Sequence, residues 1–391
     1  MKRISALLIA AFMCMGLLSA CQSSELQAYT GKDDTETAKE TANKDYTPCF
    51  ESYDPDEVMM TINGIDVTWR ELFYFYHYDV STLENYYGDI TDWDDTAMFD
   101  GKKSYRDYVV ENGLETVKHY CALESKAEDM GVELSDEARA KIEERWKTNV
   151  ESYGKGDEEA FIKYLESTFL SKELYDHINE ISALYESIRD EMYGTNGDKL
   201  EEDEVLQKAK DMGYKRAKHI FLSTYDSEHN KLSEEELAGK KAQLQTMLDE
   251  LSAIVDPVQL ESRLDELAAQ NSEDPGLKTF PDGYTFQEGK MDQAFAEAVS
   301  DTEENKMYPG VVESSMGYHV ILRLPLSTTA AVEFSSEDDY RSLPYYVAES
   351  MFGALTDSWA DECEVVYSKA YKKMDIAKIF AKAKAIESPD K

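Results

Sequence analysis

Positive charge is what this chain most conspicuously lacks. Its 41 Lys and Arg stand against 80 Asp and Glu, a formal net charge of -39. No basic stripe is left to neutralise phosphates, which argues against nucleic-acid binding and against docking on anionic lipid through charge. Cysteine is scarce too, with five residues, no C-x-x-C pair and no cluster with histidine. The sequence therefore carries no metal-site or dithiol motif and calls for no cofactor. Long apolar runs are absent except for Ile4 to Leu18, which is too short for an ordinary membrane span. Strand patterns are almost missing between residues 68 and 194, which speaks against the two alternating α/β lobes of a solute-binding protein.

What is present begins at the N-terminus. Lys2 and Arg3 precede the apolar run, and Leu18-Ser19-Ala20-Cys21 follows it. A basic start, a short apolar core and small residues make a secretory signal. The final residues resemble a bacterial lipobox, which implies acylation of Cys21 and attachment to a lipid bilayer outside the cytoplasm. Residues 1-20 are accordingly read as a lipoprotein signal peptide. Residues 21-56 are read as a lipidated cysteine and a disordered tether, too poor in large aliphatics to offset their ordering entropy. Cys121 and Cys363 sit in helical or apolar settings and read as buried free thiols.

From Val58 to Val67 apolar residues alternate around Asn63-Gly64, a hairpin signal. Thr68 then opens a helix, and Glu71 is placed to complete a capping box. The periodicity predicts helices over 68-87, 104-130, 135-152, 158-168 and 171-194. The first is crowded with Phe73, Tyr74, Phe75, Tyr76 and Tyr78, more rings than one face holds. Most read as core, and some are candidates to line a cradle for unfolded polypeptide. A later helix over 344-361 and a strand at Glu364 to Tyr367 offer the hairpin a third strand.

The stretch from Lys215 to Leu324 carries the chemistry. It opens with Arg216-Ala217-Lys218-His219-Ile220 and closes with Gly317-Tyr318-His319-Val320-Ile321, both patterned as buried strands. Between them lie two helical segments, the turn Ser272-Glu273-Asp274, and Gly289-Lys290-Met291 followed by Phe295. These four motifs, in this order and spacing, resemble the parvulin family of peptidyl-prolyl cis/trans isomerases. The opening at residues 58-71 extends the resemblance to the PrsA and SurA foldases.

The resemblance implies an α+β fold. A small parvulin domain at 213-326, an antiparallel sheet with surrounding helices, is inserted in a mainly helical chaperone domain made of 57-200 and 330-385. It implies a proline-binding pocket of Phe286, Met291 and Phe295. It also implies a catalytic group of His219, Asp274, Ser314 and His319, the histidines positioning rather than transferring protons. Two features depart from the family pattern. Pro281 to Phe286 replaces a glycine-rich loop, and Asp292 stands where Gln is common. No basic cluster precedes the pocket, so a phosphorylated substrate is not expected. The implied partners are partly folded exported polypeptides with X-Pro bonds. A homodimer is left open, and the competing function is a non-catalytic holdase with a degenerate parvulin module.

Overall fold

The structure is a computed structural model that describes residues 44–99, 101–334 and 340–386. The expected signal peptide, the expected lipidated Cys21 and the expected tether as far as residue 43 lie outside the described residues. Those described form two compact units. One holds the residues up to Arg189 and from Ser350 onward, and the other is Asp190–Glu349.

The first unit starts with β1 (Lys44–Asp45) and the short α1 (Thr47–Phe50). This corrects the expected tether, because its last residues are folded. Cys49 is fully buried, and Trp69 Nε1 donates to the Phe50 carbonyl at 2.6 Å. The Phe50 ring meets Phe73 and Phe169 with centroids 5.3 and 5.4 Å apart. A few apolar anchors, diluted in a polar stretch, are enough to dock it.

β2 (Val58–Ile62) and β3 (Ile65–Thr68) form the hairpin. Asn63 and Gly64 take φ of 51° and 86°, the left-handed pair that suits a two-residue turn. Thr68 caps α2 (Trp69–Tyr87) by accepting the Glu71 N–H at 3.4 Å. Only that half of the expected capping box forms, because the Glu71 carboxylate turns inward toward His177 instead.

α2 buries Trp69, Leu72, Phe73, Tyr74, Phe75, Tyr76, Val80 and Leu83, a set that occupies all its sides. A helix apolar all round belongs inside its unit. Of the aromatic run, Phe73 to Tyr76 are therefore core, and Tyr78 and Tyr86 are exposed. α3 (Tyr105–Met130), α4 (Asp136–Tyr153), α5 (Glu158–Ser167) and α6 (Lys172–Tyr193) follow. α3 ends on Gly131 at φ 65°, a left-handed C-cap.

The second unit takes α7 (Glu202–Asp211), β4 (Lys215–Ser223), α8 (Glu234–Ser252), α9 (Pro257–Asn271), β5 (Tyr284–Phe286) and α10 (Gln293–Ser300). It continues with β6 (Lys306–Met307), β7 (Val312–Glu313), β8 (Gly317–Leu324), β9 (Ala331–Phe334) and β10 (Tyr340–Ser342). Its main sheet is antiparallel, in the order β5-β4-β8-β6, with β7 also pairing β8. Alternation divides the sheet's two faces. Ile220, Leu222, Val320, Leu322 and Leu324 pack on Leu244, Leu248, Leu260 and Leu264 of α8 and α9. Ala217 and Ile321 face Phe286, Phe295 and Val299.

The unit is wider than the expected 213-326. The Tyr214 ring meets Tyr346, and Gly197 lies so close to the Pro344 backbone that a Cβ would collide with it.

α11 (Leu343–Asp361) leads back into the first unit, where β11 (Val365–Tyr367) pairs β2 in the sheet order β11-β2-β3. α12 (Ile376–Phe380) follows, and β12 (Lys384–Ala385) pairs β1. Among the described residues no helix is long and apolar enough to cross a membrane.

Candidate functional site

The polar side chains of the second unit meet on the sheet face opposite α8 and α9. In the β4–β8 register His219 lies opposite Ile321, and Phe221 opposite His319. The two histidines are thus diagonal neighbours on one face, within reach of each other. Their Nδ1 atoms are 2.9 Å apart and their rings are stacked at 15°.

Each histidine has a second partner. His219 Nε2 lies 3.0 Å from Asp274 Oδ2, and His319 Nε2 lies 2.8 Å from Ser314 Oγ. The turn carrying Asp274 is tied to β4. Glu273 N–H donates to the Phe221 carbonyl at 2.8 Å, and Phe221 N–H donates to Ser272 Oγ at 3.1 Å. Those bonds are why a Ser-x-Asp turn after α9 delivers its carboxylate beside the histidines.

The partners dictate the tautomers. An ionised Asp274 only accepts, so His219 carries hydrogen on Nε2. With the shared proton on His319 Nδ1, its Nε2 accepts from the Ser314 hydroxyl. The result is one continuous chain: Ser314 to His319 to His219 to Asp274. Burial, reinforced by the neighbouring His219, pushes the His319 pKa down to about 3 and keeps it neutral. Burial pushes the Asp274 carboxyl up, but hydrogen bonds from His219 and Tyr284 outweigh it and leave the carboxyl below its ordinary range.

Tyr284 was not legible as a site residue. Its hydroxyl donates to Asp274 Oδ2 at 2.8 Å, and its ring stands edge-on to His219. Asp292, at the position where the resemblance expects Gln, caps α10 through Ala294 N–H. Its other oxygen accepts from Ser315 N–H and hydroxyl, at 3.1 and 2.8 Å, and so pins the loop that carries Ser314.

Phe295 packs edge-on against both histidines, with centroids 5.2 and 5.4 Å away, and against Phe286. Both phenylalanines are buried. Met291 is half-buried at the rim of the same cluster. It precedes the Asp292 cap rather than sitting a helical turn from Phe295 on α10, but both side chains reach one cluster. All seven residues expected within the domain therefore gather on this face: four in the polar chain, three in the apolar wall. A cavity of about 570 Å³ lies elsewhere, lined by Ser223, Tyr225, Asp226, Leu232, Lys240 and Glu273, and includes none of them.

No curated protein matches the chain. Solved structures similar to it include the peptidylprolyl isomerase PrsA of Bacillus anthracis, 19% identical, covering 68% of this chain and 93% of that one at a TM-score of 0.22. PrsA of Bacillus subtilis is 15% identical, covering 86% and 96% at 0.22. One of two SurA-like chaperones of Campylobacter jejuni is 16% identical, covering 78% and 93% at 0.23. The family of PPIC-type PPIase domains matches residues 204–323, the span that holds the sheet and the whole polar chain. Over that span, and not over the rest of its length, the chain is similar to the PPIC-type PPIase domain family.

Proposed function

We propose that this chain is a foldase of the PrsA and SurA kind, held outside the cytoplasm by an acylated Cys21. It catalyses cis/trans isomerisation of X-Pro bonds in partly unfolded exported polypeptides. The observation that carries this reading is the juxtaposition, within a PPIC-type domain, of a hydrogen-bonded Ser314–His319–His219–Asp274 chain and a wall of Phe286, Phe295 and Met291.

Rotation about an X-Pro bond crosses a barrier of roughly 18–20 kcal/mol, because twisting breaks amide resonance. Uncatalysed exchange takes about tens to hundreds of seconds, slow enough to limit folding. The reaction needs no nucleophile. It needs a grip on the proline ring and an environment that favours the twisted amide over both planar forms.

Met291, at the rim of the wall, supplies the grip. Asp274 supplies the environment. Oδ1 accepts the Gly276 N–H at 3.0 Å, and Oδ2 accepts from His219 and Tyr284. A carboxylate so engaged is a fixed negative charge, not a proton carrier. Set beside the substrate carbonyl, it disfavours the planar form, whose oxygen carries more negative charge. The histidines and Ser314 hold that charge in place.

Exchange NMR on Ala-Pro and Leu-Pro peptides, with the chain from Gln22 onward, tests the reading. Wild type accelerates exchange; Met291→Ala and Asp274→Ala, each checked for folding, lose about tenfold or more. No acceleration by wild type on any unmodified peptide overturns catalysis and leaves a holdase.

A further inference from the structure

The segment Pro281 to Phe286 departs from the family pattern, and the structure gives that departure a use. We infer that Tyr284 is a positioning residue for the isomerase site, its phenol fixing the Asp274 carboxylate against His219. This inference rests on the isomerase reading above.

The geometry is built around that hydroxyl. Tyr284 Oη and His219 Nε2 converge on the same oxygen, Asp274 Oδ2, at 2.8 and 3.0 Å. Two donors from two adjacent strands, β5 and β4, leave the carboxylate one orientation. The phenol reaches it only because residue 276 is glycine: a Cβ there would collide with Tyr284 Oη.

Gly283 takes φ +87°, and a Cβ on it would lie 2.6 Å from the Ala217 carbonyl oxygen. It therefore lets the chain enter β5 tightly against β4, so that Tyr284 pairs with Ala217. The ring is held by Phe280, with centroids 4.9 Å apart, and stands edge-on to His219 at 5.4 Å. Two glycines, two ring contacts and a shared acceptor all serve one hydroxyl.

The charged and titratable groups around Asp274 can be named from each side. β4 contributes His219, and β5 contributes Tyr284. β8 contributes His319 at one remove, itself influenced by Asp292 at the α10 cap. Lys218, next in sequence to His219, points to the other face, where it pairs with Glu261 and Asp265. Glu273 is turned away to Lys240 and the Ser223 N–H. Among the described residues no Lys or Arg is paired with Asp274, so the hydrogen bonds from His219 and Tyr284 are what chiefly keep its carboxylate ionised.

Burial and the Asp274 carboxylate together push the Tyr284 phenol well up, so it remains a donor across the working range. Removing the hydroxyl removes one of the two side-chain bonds that favour the ionised carboxylate, while the burial that opposes ionisation stays. The carboxylate then protonates at higher pH.

Tyr284→Phe is the test, since it keeps the ring and deletes only the oxygen. Exchange NMR is run on wild type and variant across pH 4 to 8. The imidazole nitrogen shifts of His219 and His319 are recorded alongside, as a readout independent of activity. The expected result is a loss of about tenfold in kcat/KM near neutral pH, an acid limb moved upward, and a changed His219 signal.

Gly276→Ala, whose methyl displaces the phenol while residue 284 stays tyrosine, is expected to give the same acid limb; if it fails to fold, Tyr284→Phe alone decides. An unchanged profile and unchanged imidazole shifts in Tyr284→Phe overturn the inference. So does an equal loss at every pH, which would mark a packing role alone. Wild type that never accelerates exchange sinks the isomerase reading instead. Altered imidazole shifts in Tyr284→Phe would then still establish the positioning of Asp274.

Discussion

The two units bury charge in opposite ways. In the first, the interior holds carboxyls: burial raises Glu71 and Asp79 to about 7 each. His177, between Glu124 and Glu71, has its pKa raised by them against the effect of burial. In the second unit, the interior holds a neutral histidine, His319, pushed down to about 3, and an ionised Asp274 held low by its donors.

The consequences for stability have opposite sign. A buried Glu or Asp with a raised pKa binds its proton more tightly folded than unfolded, so its contribution is complete at low pH and is lost as pH rises through about 7. His177, also raised, behaves alike. His319 is the reverse. The unfolded chain takes up its proton near pH 6.5 and the folded one only near 3, so stability falls as pH falls through that window. Asp274 adds to the acid loss only below its unfolded value. In the first unit His77, lowered to about 4 by burial, opposes the trend but stands against three groups. The difference teaches that burial alone has no fixed pH signature; the type of group buried sets the sign.

Three experiments break or sharpen this contrast. The largest effect is expected from Phe295→Ala, which removes the ring shared by both histidines and Phe286. It should cost the second unit roughly 3–5 kcal/mol. Calorimetry of the whole chain should show one transition falling and the other, from the first unit, holding; a common shift of both would deny the units their independence.

Next comes pH itself. Between pH 6.5 and 5 the transition of the second unit should lose about 2 kcal/mol from His319 alone. That of the first should hold or rise. If the two transitions move down together, the buried carboxyls of the first unit do not titrate as stated. The smallest effect is expected from Glu71→Gln. It should stabilise the first unit by about 1 kcal/mol at pH 8, leave it nearly unchanged at pH 5, and not move the second unit. Stabilisation equal at both pH values would place the effect in packing.

Much of this molecule was readable before folding. Periodic apolar positions gave the helices of the first unit to within a residue or two, because their spacing is a property of the chain alone. Asn63-Gly64 specified its turn through backbone conformation. The order of short motifs from Arg216 to Ile321 named the histidines, Asp274, Ser314 and the apolar wall.

Other features depended on pairs far apart in sequence. Nothing local marks Glu71 as a partner of His177 rather than the second half of a cap, because the choice depends on how α2 and α6 come together. Residues 44 to 56 read as polar tether, since composition averages away Cys49 and Phe50, and only their docking shows Cys49 buried and the Phe50 ring against Phe73 and Phe169. Tyr284 looked like a loop residue. Its link to Asp274 needs the β5–β4 pairing and the bare Gly276, which bring the two ends of a ten-residue separation together.

The sequence by itself determined the local elements, which follow from residue type and spacing, and its motifs singled out the candidate site side chains through the resemblance they carry. Tertiary structure alone decided which carboxylate is held ionised, which is kept protonated, and which hydroxyl reaches it. Those outcomes depend on desolvation and on hydrogen bonds between strands and helices that only packing brings within 3 Å.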